Sequence, residues 1–422
     1  MTALLACLMA TSKPAKQLSL AGAVAIGMAS MLGAGVFFVW SSAWDLSHGK
    51  IFIALLLAAL VASLNAASVY QLASNVSRAG GVYAYSRVYL PQGFSFIAGF
   101  AFVFGKIASI AAIALIIQTY LLPGSHIATI AVLAMTFLNL FGINRTARLA
   151  MVIAVITVSF LVFSITIGFS NGFSVSAFNP GMLLPSGELS TLSAASLIFF
   201  AFAGYARVAT LGDEVKDPKK NIPRAIVISL VAVLVIYLLI TLVIVGVINT
   251  GNEPMPDAVF ERLLFVSAPW FNPVFIDFVV VLASLGSILA LLAGVSRTAA
   301  TMAEDRELPS LFAKRNSFGA PWLAEALIAI GAVVLIETRE YTTWVIAFSS
   351  FSVLLYYAIG HISVLAQPKN ERRQPRFLAI IGFVLCLVLI LNVPGPAVLV
   401  STAILMLAFG VRAALQAIAK AK

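Results

Sequence analysis

Apolar residues gather along this chain in stretches of 17 to 28 positions, separated by short connectors rich in Gly, Pro, Asn and charge. Crossing about 30 Å of hydrocarbon takes roughly 20 apolar residues in a helix. The pattern predicts twelve such spans, over 18–43, 51–73, 94–121, 126–143, 149–170, 191–211, 224–249, 274–298, 321–337, 341–366, 376–392 and 396–416. The segment 225–247 is apolar on every face. A transmembrane barrel strand would instead alternate over ~10 residues, so helices are expected. The connectors hold the breakers Leu122-Pro123-Gly124, Asn171-Gly172, Asp217-Pro218, Asn272-Pro273 and Pro394-Gly395-Pro396.

Composition agrees. Of the 422 residues, 61% are hydrophobic and 10% charged, against about 25% charged in a soluble domain. That excludes a soluble enzyme, a disordered regulator and a nucleic-acid-binding module. Cys7 and Cys386 stand far apart in apolar context, with no metal-ligand spacing and no disulfide framework. The net charge of +10 reads as topology once the spans are in place. With the amino terminus inside, 21 of the 26 basic residues fall on the inner connectors and tails. Only Lys50, Arg262 and Arg339 fall outside, and Lys106 and Arg207 lie within or near spans. This bias is the positive-inside pattern. It predicts both termini in the cytoplasm, a chain integral to the cytoplasmic membrane, and anionic inner-leaflet lipid as a partner. No basic n-region precedes the first ten apolar residues, which fits a short cytoplasmic arm better than a signal peptide.

Two spans are wrong for mere anchors. Span 1 contains Gly27-Met28-Ala29-Ser30-Met31-Leu32-Gly33-Ala34-Gly35-Val36-Phe37, and span 6 contains Phe199-Phe200-Ala201-Phe202-Ala203-Gly204-Tyr205-Ala206. Glycine inside a helix costs about 1 kcal/mol relative to alanine, and paired glycines invite an unwound stretch. Freed main-chain groups are tolerated at mid-membrane only where they line a cavity. Close helix packing through small residues is the alternative for either span alone. Together they occupy corresponding places in two five-helix halves, the second entering with inverted orientation, so they point to a midplane substrate site. The expected fold is therefore an all-α polytopic membrane protein with a five-plus-five inverted repeat, broken helices 1 and 6, and two extra C-terminal helices. Its parts are an arm at 1–17, repeats at 18–170 and 191–366, the extra helices at 376–416, and a cytoplasmic tail at 417–422.

Four segments make the chain resemble the amino acid–polyamine–organocation superfamily of amino acid transporters. Gly33-Ala34-Gly35-Val36-Phe37 is similar to the family's G-[SA]-G-[IV]-F string, and 78–85 resembles its P-x-x-G-G-x-Y-x-Y without the proline. The more specific pair is 200–226, FAFAGYARVATLGDEVKDPKKNIPRAI, and the loop from Ser296-Arg297 to Gly319-Ala320-Pro321. The resemblance covers 18–366 by motif and the last two spans by hydropathy. It implies a substrate held between spans 1, 3, 6, 8 and 10. Its carboxylate would meet amides of Ala34, Gly35 and Val36 beside Gly33. Its ammonium would lie near Phe200, Ala201 and Phe202 beside Gly204, with Phe200 as an aromatic gate. The helix dipoles favour the same polarity. Two positions depart from relatives: Ala206 stands where many have glutamate, and Thr157 where proton-coupled ones often have lysine.

Lys106 lies near the middle of span 3, where an ammonium costs at least ~2.5 kcal/mol on insertion scales. It either faces the bundle, as a proton-coupling group or a charge steering the carboxylate, or snorkels to an interface. Arg207 is read as an inner-gate cap or a partner of Asp213 or Glu214, with a simple interfacial arginine as the alternative. Asp277 is read as interfacial, with Lys106 as a conceivable partner. Ser284, Ser287 and Thr157 are coupling candidates, with ordinary helix packing the favoured reading. His48, His126 and His361 read as structural, in or beside connectors, and 213–224 as a solvated inner loop and helix cap.

The function expected is secondary transport of amino acids, most of all neutral L-amino acids, by alternating access, with no enzymatic step, no cofactor and no metal. The coupling ion, proton or sodium, stays open. A cationic substrate is disfavoured because the core offers no clear buried acid for its second charge. An acidic amino acid carrier or an exchanger or exporter is the alternative. A membrane-embedded enzyme would want converging His, Asp or Cys groups and a channel a polar stripe or charged rings. No G-x-x-x-x-G-K-[ST] loop is present for a self-contained ATP pump.

Overall fold

The computed structural model describes residues 18–47, 50–76, 78–178, 189–212, 214–248, 255–256, 258–338, 342–393 and 396–421. The arm at 1–17, Asp213 and the last tail residue lie outside them. The described chain is helical, apart from one isolated parallel bridge between Leu18 and Val215. The helices are α1 (Leu20–Met31), α2 (Ala34–Ser47), α3 (Ile51–Asn75), α4 (Val82–Tyr89), α5 (Gln92–Leu121), α6 (Ile127–Asn139), α7 (Ile143–Ser170) and α8 (Leu189–Phe202). They continue with α9 (Ala206–Ala209), α10 (Pro218–Ile248), α11 (Val259–Ser267), α12 (Pro273–Glu304), α13 (Trp322–Glu337), α14 (Thr342–Ala366), α15 (Arg376–Leu391) and α16 (Ala397–Ala421).

Each of the twelve apolar stretches carries helix, but among the described residues eight helices are long and apolar enough to cross a membrane, with Leu20–Ser47 taken as one. Helices α6, α8, α13 and α15 have 13, 14, 16 and 16 residues, or about 20–24 Å at 1.5 Å per residue. Local chemistry stops two of them. Gly142 turns the chain at φ 94° after α6, and the glycine of the 203–205 turn interrupts the helix after α8.

Starts and stops follow familiar cap chemistry. The Ser19 hydroxyl accepts the Gly22 amide at 3.2 Å to open α1, and Asn272 accepts the Val274 amide at 3.0 Å ahead of Pro273 to open α12. Gly80 and Gly81, at φ 110° and 59°, supply the left-handed turn into α4 that a side chain would resist.

Helix α5 lies at the centre, packed most extensively on α14 and α12, while α1, α2, α8 and α10 close around the other side. Large apolar side chains such as Leu56, Phe137, Val155, Val235, Ile330 and Leu399 point outward, forming the surface an integral membrane protein presents to lipid. Helix α16 is the most peripheral, with 11% of its apolar window buried.

At the end of the bundle rich in basic residues, the connectors are tied by ion pairs. Asp305 takes Arg78 at 2.7 Å and Arg87 at 3.4 Å, and Glu307 takes Arg87 at 2.9 Å and Arg412 at 2.5 Å. The Tyr83 hydroxyl adds a 2.9 Å bond to Asp305. Two connector expectations change here. Glu214 is buried and paired with Arg297 at 2.5 Å rather than solvated, because the Leu18–Val215 bridge draws its segment inward. His361 lies inside α14, fully buried, with Ser68 at 2.8 Å and Asn65 at 2.7 Å on its two ring nitrogens.

Candidate functional site

Helix α1 ends at Met31 and α2 begins at Ala34, so the chain unwinds over Leu32 and Gly33 alone. The second interruption spans Ala203, Gly204 and Tyr205, between α8 and α9. The two breaks meet. A Cβ on Gly204 would run into the backbone of Ser30 and Met31, and one on Gly33 into the Ser287 side chain. Glycine is needed at Gly204 for backbone-to-backbone approach and at Gly33 to leave room for the Ser287 side chain.

An interrupted helix leaves main-chain groups without intrahelical partners, and here side chains serve the carbonyls. The Tyr237 hydroxyl of α10 lies 2.7 Å from the Met31 carbonyl and 3.2 Å from that of Ala201. Ser287 of α12 donates to the Ala29 carbonyl at 2.8 Å. Lys106 of α5 sends its ammonium to the Ala203 carbonyl at 3.1 Å. The cation thus sits at the negative end of the α8 dipole. Lys106 is 3% exposed, which removes the interfacial snorkelling alternative. Asp277 lies instead beside Glu261.

A cavity of about 20 Å³ lies between the breaks, lined by Ser30, Met31, Gly33, Gly35, Lys106, Ser109, Ile113, Phe200, Ala201, Gly204, Ser287 and Leu291. That volume suffices for a water, which needs roughly 10–15 Å³. The residues singled out in the sequence divide around it. Gly33, Gly35, Phe200, Ala201, Gly204, Lys106 and Ser287 line the cavity, whereas Val36 and Phe202 are buried outside its wall. The Val36 amide donates to the Gly33 carbonyl at 3.2 Å, and Phe202 packs on Tyr237 at 4.8 Å between centroids. The Ala34 side chain lies outside the described residues.

Among the remaining candidates, Ser284 donates to Val280 of its own helix at 2.7 Å. The Thr157 hydroxyl is buried without a partner among the described residues. Arg207 is 2% exposed and therefore not interfacial. It donates to the Ala290 carbonyl and, at 3.1 Å, to the Thr210 hydroxyl, lying over Gly294, where a Cβ would collide with it. Among the described residues no cluster of His, Cys, Asp and Glu could hold a metal ion.

Sequence reading passed over Ser30, Ser109, Ile113, Leu291 and Tyr237. The serines look like helix glue, and Ile113 and Leu291 are indistinguishable from lipid-facing neighbours. Tyr237 alone carried a signal, as the one aromatic side chain in the long apolar run 225–247.

Two apposed helix breaks around a small central cavity, inside a bundle with an apolar exterior, define a membrane transporter rather than an enzyme. The family model for amino acid permeases matches residues 22–419. The chain is 37% identical to an uncharacterized transporter of Mycobacterium tuberculosis, covering 94% of this chain and 91% of that one. It is 26% identical to cationic amino acid transporter 7, chloroplastic, of Arabidopsis thaliana, over 80% of this chain and 63% of the relative. It is 23% identical to the branched-chain amino acid permease BcaP of Bacillus subtilis, over 87% and 86%. The chain belongs to the amino acid permease family of the amino acid–polyamine–organocation superfamily.

Proposed function

We propose that this permease is a secondary active carrier of neutral L-amino acids, working by alternating access around the cavity between the two breaks. Twelve crossings arranged as two inverted five-helix repeats plus α15 and α16, with both termini in the cytoplasm, would frame that site. The basic bias of the inner connectors and the correspondence of the two interruptions support this arrangement. The substrate carboxylate would lie against the first-turn amides of α2, at Ala34 and Gly35, where the helix dipole favours an anion.

The observation that carries the reading is the Lys106 ammonium on the Ala203 carbonyl. Freed carbonyls at the end of α8 are the acceptors the resemblance assigns to the substrate ammonium, and Lys106 already neutralises one of them. A cationic side chain would add a further positive charge beside Lys106 and would meet no carboxylate among the described residues of the cavity wall. The apolar lining from Met31, Ile113, Phe200 and Leu291 suits a small, uncharged side chain. Lys106 acts as the cation that steers the carboxylate. The branched-chain name of one relative leans the same way, and the cationic name of another leans the opposite way.

Uptake of labelled L-leucine, L-alanine, L-glutamate and L-arginine into proteoliposomes tests this, alongside thermal shift in detergent over the twenty amino acids. Saturable uptake of the neutral compounds with no response to arginine is expected. Saturable arginine uptake would overturn the neutral assignment, and preference for glutamate would transfer Lys106 to a substrate side-chain carboxylate.

A further inference from the structure

Four charged side chains are buried together at the basic end of the bundle. They are Arg207 of α9, Glu214 of the following connector, Arg297 of α12 and Glu325 of α13, at 2%, 4%, 3% and 0% exposure. Glu214 and Arg297 form a direct pair at 2.5 Å. The other two are treated differently. Arg207 receives only neutral acceptors, Ala290 and Thr210, and its Nη2 has no partner among the described residues. Glu325 receives only neutral donors: Asn139 Nδ2 at 3.0 Å and Ser296 Oγ at 3.2 Å, both on Oε1. Thr146 donates to Asn139 Oδ1 at 2.9 Å, which orients the amide so that its nitrogen faces the carboxyl. Oε2 has no partner among the described residues.

A carboxylate in the first turn of a helix complements the dipole, which accounts for the place of Glu325 on α13 but not for its complete burial without a contacting cation. A buried carboxyl in that position takes up a proton or a counter-ion. Arg207 is the cation of the cluster left to become that counter-ion: its guanidinium lies over Gly294 of α12, two residues from the Ser296 that holds Glu325, and its Nη2 has no partner among the described residues, whereas Arg297 is engaged by Glu214. It also lies three residues from Gly204, a cavity residue, so one short segment reaches both places.

We propose that Glu325 is a proton-binding site of the carrier, holding a proton on Oε2 until movement of α9 brings the Arg207 guanidinium onto the carboxylate. The step forms one O–H bond from a water-borne proton and breaks it again. The cluster is neutral with Glu325 ionised and carries +1 with it protonated. The charged groups facing Glu325 are Arg207, Glu214 and Arg297, and the neutral ones are Asn139 and Ser296. No other residue enters the step. This inference rests on the carrier reading above and assigns its coupling ion.

The test is made in proteoliposomes with labelled L-leucine or L-alanine, measuring counterflow without a pH gradient and uptake under an imposed one. For the wild type, the gradient is expected to change uptake about tenfold, within the usual range of site-to-site coupling. Glu325→Gln keeps counterflow while its response to the gradient and its pH dependence disappear. A Glu325→Gln protein that counts as wild type in both assays, or a wild type indifferent to the gradient, overturns the proton site and leaves the carrier intact. Should Glu325→Gln fail to fold, Glu325→Asp decides: a displaced pH profile supports the assignment and an unchanged one overturns it. A wild type without counterflow of any amino acid removes the carrier reading and this inference with it.

Discussion

The hydroxyl of Tyr237 touches the carbonyls of Met31 and Ala201, at 2.7 and 3.2 Å, so one side chain of α10 joins the ends of both leading half-helices. Its single proton serves one acceptor at a time. Its ring packs against Phe202 and against Trp40, at 4.8 and 5.7 Å between centroids. The contact couples the two interruptions through a third helix.

Tyr237→Phe keeps the ring and removes the bridge. An orphaned buried acceptor costs about 1–3 kcal/mol, so the melting temperature in detergent should fall modestly while uptake falls more. Unchanged uptake kinetics in a folded variant would show that the bridge is only structural.

Gly204→Ala tests the backbone approach of the two breaks. The added Cβ meets the main chain of Ser30 and Met31, which cannot rotate away. Overpacking of this kind costs about 1–3 kcal/mol. Lower yield of monodisperse protein and loss of uptake are expected, and a wild-type melting curve would contradict the apposition.

Lys106→Met separates stability from function. Burying a charge without an ion partner is costly, and removing it offsets the loss of the donor to the Ala203 carbonyl. The variant should melt at or above the wild-type temperature yet transport at least about tenfold more slowly, a loss of about 1.4 kcal/mol of stabilisation. Wild-type rates across a pH series would remove Lys106 from the mechanism.

Glu307 supplies a pH signature outside the spans. Burial works against its charge, but Arg412 and Arg87 outweigh that and hold its carboxyl below the ordinary range. A carboxyl lowered on folding stabilises the native state above its unfolded value, about 4.3, and that contribution disappears as pH falls through the lower folded value. Melting temperatures of the wild type and Glu307→Gln should therefore differ at neutral pH and converge on acidification. A gap that persists in acid would show that packing, not charge, separates the two proteins.

Much of the helical framework was legible because lipid and backbone chemistry act locally. Long apolar runs, Ser19 and Asn272 at helix starts, and glycines at 33 and 204 each carry their meaning within a few residues. The lengths of α6, α8, α13 and α15 were less legible, because a hydropathy window cannot see where a helix unwinds. Glu214 was read as solvated because Lys216, Asp217, Lys219 and Lys220 follow it, and only the bridge from Leu18 to Val215 brings it inside.

The candidate site divides in the same way. Sequence alone pointed to breaks in two helices and set Lys106 and Arg207 within or near apolar spans. Which groups meet was decided in three dimensions. Lys106 on Ala203, Tyr237 on Met31, and Asn139 on Glu325 join residues separated by 97, 206 and 186 positions. Partners that distant leave no periodic trace along the chain, because a buried polar group is satisfied by whatever the packing of other helices brings within hydrogen-bond reach.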